Sequence, residues 1–197
     1  YANKSAKPLN ENDELGGHDP YSYSKACAEF ISSSFIKSYP NDKIRIATAR
    51  AGNVIGGGDW AKDRIVSDLI QSIKSNKNLN LRYPQATRPW QHVFEPLSGY
   101  INLCSSLYRS KKYSDSWNFG PRLNNNINVK EFSKKFIKKY KSNIKIVGTE
   151  KKYYEKKFLM LNSSKAKKDL GWKPKWNIDK SIYETVRWYQ NFYTKNT

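Results

Sequence analysis

The chain is poor in several things that would define a class outright. Its 197 residues include two cysteines, one methionine and two histidines. Two cysteines make no disulfide framework, and neither stands at a Cys/His spacing that suits zinc, so no metal is expected. Cys27 and Cys104 fall on expected helices among apolar neighbours, which reads as buried free thiols. No apolar run is long enough to span a bilayer, no signal peptide is visible, and there are no repeats or low-complexity linkers. A glycine-rich turn between a strand and a helix, the seat of a dinucleotide pyrophosphate, is missing too. Gly56-Gly57-Gly58 is no substitute, because a loop with Asp59 and Trp60 comes after it.

Acidic residues are also scarce: 17 against 36 Lys and Arg, a net charge of +19. A strong positive field invites a polyanion partner. Yet 28 of the 36 basic residues are Lys, and many fall on the outward faces of expected helices. Over residues 129–141, Val129, Phe132, Phe136, Ile137 and Tyr140 form one stripe, while Lys134, Lys135, Lys138, Lys139 and Lys141 fill the rest. That pattern is a solvated surface helix. No basic motif carries interleaved stacking aromatics, so no nucleic-acid partner is expected.

Strands and helices alternate along the chain, the pattern of an α/β fold. Residues 1–19 read as a polar loop. A helix is expected over 20–39, with Pro20 in its first turn and Ala26, Phe30, Ser33 and Ile36 facing inward. Next come a strand over 44–50, a helix over 61–75 and a short strand over 79–82. Further helices are expected over 94–109, 129–141, 163–170 and 178–193, with strands over 116–119 and 144–147.

Tyr21 and Lys25 lie four apart on the first helix, so the ammonium can approach the phenol. A free phenol, with a pKa of about 10, is a poor base at neutral pH, and a neighbouring cation favours the phenolate. The helix leads into an apolar strand and the polar loop Gly-Gly-Gly-Asp-Trp, which would place Asn53 across the same pocket. This suggests a nicotinamide-dependent site. The spacing alone is weak, because Tyr39/Lys43, Tyr108/Lys112 and Tyr153/Lys157 repeat it. Only Tyr21/Lys25 is succeeded by a strand and a glycine loop.

With those residues stand several longer stretches: Glu11-Asn12-Asp13-Glu14-Leu15-Gly16-Gly17, Arg50 through Trp60, Ala86-Thr87-Arg88-Pro89-Trp90-Gln91-His92-Val93, Trp117-Asn118-Phe119-Gly120-Pro121 and Leu170-Gly171-Trp172-Lys173-Pro174. In them, across essentially all 197 residues, the chain resembles the later part of the CDP-glucose 4,6-dehydratases, a branch of the extended short-chain dehydrogenase/reductases. The resemblance implies the later part of a Rossmann-type doubly wound parallel sheet plus a smaller α/β substrate-binding domain. Residues 1–56 would belong to the NAD-binding domain. Residues 57–197 would form mainly the sugar-nucleotide domain, with some segments returning to the first. Family members carry their glycine-rich turn and acid/base residues upstream of the match to Tyr1, so the chain is expected to be a C-terminal fragment, inactive by itself.

The resemblance also implies roles. Tyr21 and Lys25 would be catalytic and touch NAD, with Val54 against the cofactor through its backbone. Asn53 and Arg88 would contact the sugar nucleotide, and Arg64 and Asn118 would line the same pocket. A guanidinium suits a diphosphate because its planar fork donates two parallel hydrogen bonds. Trp90 and His92 read as packing residues. The substrate would be CDP-glucose, converted through NAD to CDP-4-keto-6-deoxyglucose for cell-surface polysaccharide synthesis, in a cytoplasmic homodimer. Two departures stand out: Tyr154, before Glu155, replaces a usual His, and Asn162 replaces a usual Asp. Two alternatives stay open. One is another sugar-nucleotide epimerase or reductase of the same fold; the other is a non-enzymatic basic protein that binds polyanions.

Overall fold

A computed structural model describes Tyr1, Ala2 and residues 7–40, 43–148 and 158–195. Its elements run α1 (Pro20–Ser38), β1 (Thr48–Ala51), β2 (Asn53–Ile55), α2 (Ile65–Lys74), β3 (Leu79–Leu81), β4 (Thr87–His92) and α3 (Phe94–Arg109). They continue as β5 (Ser116–Phe119), β6 (Asn126–Asn128), α4 (Val129–Tyr140), β7 (Ile146–Gly148), α5 (Ser164–Leu170) and α6 (Ile178–Lys195). The fold is mixed α/β with parallel strand pairs. Two compact units emerge, each assembled from three separate stretches. The first comprises Tyr1–Gly52, Phe94–Leu123 and Leu159–Lys175; the second comprises Asn53–Val93, Asn124–Phe158 and Trp176–Thr197.

In the first unit β1 and β5 pair in parallel, from Thr48 opposite Ser116 to Ala51 opposite Phe119. α3 and α5 pack against β5. Leu103, Trp117, Phe119, Ala166 and Trp172 form the core, with Trp172 edge-on to Phe119 at 5.0 Å. A Cβ on Gly99 would come within 2.3 Å of the Phe119 ring, so only glycine lets α3 lie this close to the strand. α5 begins where Asn162 Oδ1 accepts from the Ser164 amide at 2.8 Å. The N-cap itself is Ser163, which makes no side-chain capping bond, so Asn162 acts from one residue before the cap rather than as the cap.

Helix α1 starts as expected. Pro20 opens it and Asp19 Oδ1 accepts from the Ser22 amide at 2.9 Å. Its inward face is narrower than its apolar residues suggest, however: Ala26 is its buried residue and Phe30 is 60 % exposed. The reason is geometric. Glu29 points at β1, where Thr48 donates to it at 2.6 Å, and Phe30 lies about 100° further round the helix. Cys27 and Cys104 are also exposed rather than buried, since each lies off the face its helix turns to the unit's core. The expected strand over 44–50 shortens to Thr48–Ala51, because β5 offers only four partners; Ile44 is exposed.

In the second unit β4 sits between β2 and β6. Local sequence pattern hides this strand, because Pro89 lies inside it. Its two halves serve different neighbours: residues 90–92 run parallel to β2, and residues 87–89 run antiparallel to β6. Pro89 therefore has a ladder partner, Asn126, on one side only, which is where a residue without an N–H is tolerated. β3 and β7 form a separate parallel pair. Leu69, Phe132, Phe136, Ile182, Val186 and Tyr189 belong to the core beneath. Trp90 stacks on Phe132 at 4.3 Å and donates from Nε1 to the Ile127 carbonyl at 3.0 Å, and His92 is buried; both are packing residues. α4 carries the expected stripe, with Phe132, Phe136 and Ile137 buried and Lys134, Lys138 and Lys139 exposed. Lys141 closes it in the left-handed region at φ 63°.

Among the described residues no helix is long and apolar enough to cross a membrane, and no three His, Cys, Asp or Glu are grouped to hold a metal.

Candidate active site

Tyr21 and Lys25 come together on the open side of α1, with the Lys25 ammonium 5.4 Å from the centre of the Tyr21 ring. Tyr21 is 72 % exposed and Lys25 is exposed, so both heads are accessible to a ligand. The rival spacings fare differently. Tyr39 caps the end of α1, Tyr108 ends α3 as the chain turns away, and Tyr153/Lys157 lies outside the described residues, as do Tyr154 and Glu155.

A buried polar network lies further along the same helix. Glu29, at the next step of the 21, 25, 29 series, receives Arg50 Nε at 2.8 Å and Nη2 at 2.9 Å, a two-pronged ion pair. Thr48 and Ser116 also donate to Glu29, at 2.6 and 3.2 Å. Arg50 Nη1 reaches the Tyr1 hydroxyl at 2.7 Å and the Glu11 carbonyl at 3.2 Å. Burial alone would raise the Glu29 carboxyl, but the bonds from Arg50, Thr48 and Ser116 outweigh it and hold the pKa below its ordinary value. Burial likewise opposes the charge on Arg50, yet Glu29 and Tyr1 leave its pKa above the usual guanidinium value. The Tyr1 phenol is raised, chiefly by burial. Sequence reasoning gave none of these three a role. The available signal was a carboxylate one turn beyond Lys25 and an arginine inside an otherwise apolar strand.

Asn118, opposite Arg50 on β5, is fully buried and already committed. Its Oδ1 accepts from the Tyr1 hydroxyl at 2.6 Å, and its Nδ2 donates to the carbonyls of Leu9 at 3.0 Å and Asn162 at 3.2 Å. Its own amide donates to Glu11 Oε1 at 2.8 Å. This side chain ties the N-terminal segment, β5 and the start of α5 together.

The remaining candidates belong to the second unit. Asn53 and Val54 lie on β2, opposite Trp90 and Gln91 of β4. Arg88 is on the same β4, two residues before Trp90, so pleating puts it on the same face as Asn53. The structure thus brings Asn53 and Arg88 onto adjoining strands. Arg88 is 8 % exposed, and its Nη1 donates to the Thr87 carbonyl at 2.9 Å. Val54 is 39 % exposed. Arg64 stands apart from that pair at the N-cap of α2, with its guanidinium 3.8 Å from Asp59 and largely open to solvent.

With this arrangement in view, comparison with known proteins is decisive. Residues 1–185 match the model of the GDP-mannose 4,6-dehydratase family. The chain belongs to this family. It is similar to the CDP-glucose 4,6-dehydratase of Salmonella typhimurium, at 41 % identity over 188 residues, covering 91 % of this chain and 52 % of that protein. Among solved structures it resembles a dTDP-glucose 4,6-dehydratase from Bacillus anthracis in complex with NAD, at TM-score 0.77 and 21 % identity, over 95 % of this chain and 57 % of that one. It also resembles a UDP-glucose 4-epimerase from Thermotoga maritima with UDP-glucose, at TM-score 0.83 and 16 % identity, over 98 % and 60 % of the two chains. At such identities these neighbours speak for the fold, which is of Rossmann type. The chain spans about half the length of the relatives it matches.

Proposed function

We propose that the protein containing this chain is an NAD-dependent 4,6-dehydratase of CDP-glucose, with Tyr21 as its base. The observation that carries this reading is the pairing of Tyr21 with Lys25 on the exposed face of α1, in a chain of this family. The choice of CDP-glucose among sugar nucleotides is supported by the Salmonella relative.

The residues present suit the nicotinamide end of a dinucleotide, because a phenol and an ammonium one helical turn apart offer it hydrogen-bond donors on an accessible face. Tyr21, Lys25 and the Val54 backbone would hold it. When bound, NAD would take up a hydride from C4 of the glucose and later deliver it to C6. Tyr21 would accept the C4 hydroxyl proton, with the Lys25 ammonium beside it on the same face of α1. The 4-keto group then acidifies the C5 proton, and water leaves across C5 and C6. Asn53 and Arg88 would hold the sugar nucleotide, Arg88 by a bidentate contact to the diphosphate. Arg64 would add a second cation.

The test is direct: the whole protein, incubated with NAD and CDP-glucose, should yield a 4-keto-6-deoxy sugar nucleotide without net NADH. Inversion at C4 with no loss of water would identify an epimerase instead. Salt-sensitive DNA binding with no turnover of any sugar nucleotide would favour a polyanion-binding protein.

A further inference from the structure

The second unit holds an arrangement that no role assigned so far explains. The loop over residues 56–64, which ends on Arg64, is clamped by one face of α6. The Tyr189 hydroxyl bridges both backbone groups of Asp59: the Asp59 amide donates to it at 3.0 Å, and it donates to the Asp59 carbonyl at 2.8 Å. Burial pushes this phenol up to about 12, so it stays protonated and keeps both bonds at any physiological pH. Gly57 lies flat on the Trp188 indole, where an added Cβ would come within 2.1 Å of the ring. Gly58 turns at φ 77°, against the edge of the same indole. Trp60 fits among Trp188, Tyr189, Phe192 and Tyr193, with ring centres 5.2 to 6.3 Å away.

The far end of the loop is pinned as well. Asp63 sits in the left-handed region at φ 64°, and Arg82 holds it by an ion pair at 3.1 Å and a bond to its carbonyl at 3.2 Å. A left-handed Asp persists where its surroundings over-determine it. Between these anchors the loop leads into α2, with Arg64 at its N-cap. A bare packing loop needs hydrophobic burial; it does not need a buried hydroxyl aimed at both ends of one residue.

From this geometry we infer that Tyr189 is a positioning residue: with Trp188, it fixes the 56–64 loop and thereby sets where Arg64 meets the sugar nucleotide. The inference rests on the substrate reading under Proposed function. It makes the C-terminal helix a determinant of substrate affinity, although no α6 side chain need touch the ligand.

The whole protein carrying Tyr189→Phe tests this, because the ring and its burial are kept while the bridge is lost. Amide exchange over residues 56–63 should accelerate by about tenfold, and the KM for CDP-glucose should rise by a similar factor, with kcat nearly unchanged. An unchanged exchange rate and KM, whatever happens to the melting temperature, would overturn the inference. Should Tyr189→Phe fail to fold, Trp188→Phe carries the same test through the support of Gly57 and Gly58, and unchanged loop exchange and KM there overturn it equally. The exchange arm needs no substrate. If the parent protein turns over no CDP-glucose, the functional proposal falls, and the exchange rate still reports whether the clamp exists.

Discussion

The Glu29 carboxylate receives two prongs of the Arg50 guanidinium, at 2.8 and 2.9 Å, two helical turns from Tyr21 on the same helix. Together with Thr48, which also donates to Glu29, this pair ties α1 to β1. With Ala26 as the buried residue of the helix, little apolar burial supplements it. The helix that carries the phenol and the ammonium is therefore held chiefly by charge and hydrogen bonding.

Glu29→Gln keeps the shape and removes the charge, leaving a largely buried Arg50 without its counter-ion. The expected loss is about 3 kcal/mol of stability, read as a lower urea midpoint at unchanged slope. A midpoint within experimental error of the parent would mean that the pair is solvent-compensated and does not hold the helix.

Tyr21→Phe retains the ring and deletes the proton acceptor. Turnover in the whole protein should fall by about 10² or more, with CDP-glucose affinity barely changed. Near-normal turnover would remove Tyr21 from the chemistry.

Arg88→Ala should weaken CDP-glucose binding by about 2–3 kcal/mol in calorimetric titration. Arg88→Lys should recover only part of this, because a point charge cannot reproduce the fork. Parent-like affinity together with easier unfolding would assign the residue to the packing of β4, where it is already buried.

Acid should destabilise the protein in two stages. Burial lowers the His92 pKa from 6.5, opposed by Glu184, so His92 resists protonation in the fold. The unfolded chain takes up that proton first, and stability should begin to fall as pH drops below 6.5. Glu29 is also depressed, from 4.5, so its contribution is complete above 4.5 and is lost as pH falls through its lower folded value. Melting temperatures of the parent and of His92→Gln from pH 7.5 down to about pH 2.5 separate the stages; equal slopes above pH 5 would show that His92 plays no part.

Some of the fold and the site is legible in the sequence and some is not. α4 can be read from its stripe because one face is buried and the other is lysine, so period and burial agree. α3 is legible to the residue, since Pro96 fits a first turn and the helix runs out at Arg109. β4 stays hidden because Pro89 argues against a strand unless one knows that the strand changes neighbour at that point. Phe30 and the two cysteines mislead because apolar neighbours on a helix do not say which face meets a core. Tyr21 and Lys25 can be picked out by the strand and glycine loop beyond them, whereas the two-ended hold of Tyr189 on Asp59 spans 130 positions and leaves no local trace. Asn118 is found through its motif, which does not reveal that its amide bonds to Tyr1, Leu9 and Asn162 of its own chain.

The threading of the two units has a genetic consequence. Each is a composite of three stretches, with the chain crossing between them after Gly52, Val93, Leu123, Phe158 and Lys175. Within this chain no single cut separates one unit from the other. Parallel partners such as Arg50 and Asn118 must also wait for 67 intervening residues to be made before they can meet. By the time β5 is made, β2, β3 and β4 of the second unit have already been made, so the stretches of the two units are synthesised in alternation. Recombination between relatives should accordingly succeed when whole chains are exchanged, and fail at crossovers that would look harmless on a linear map.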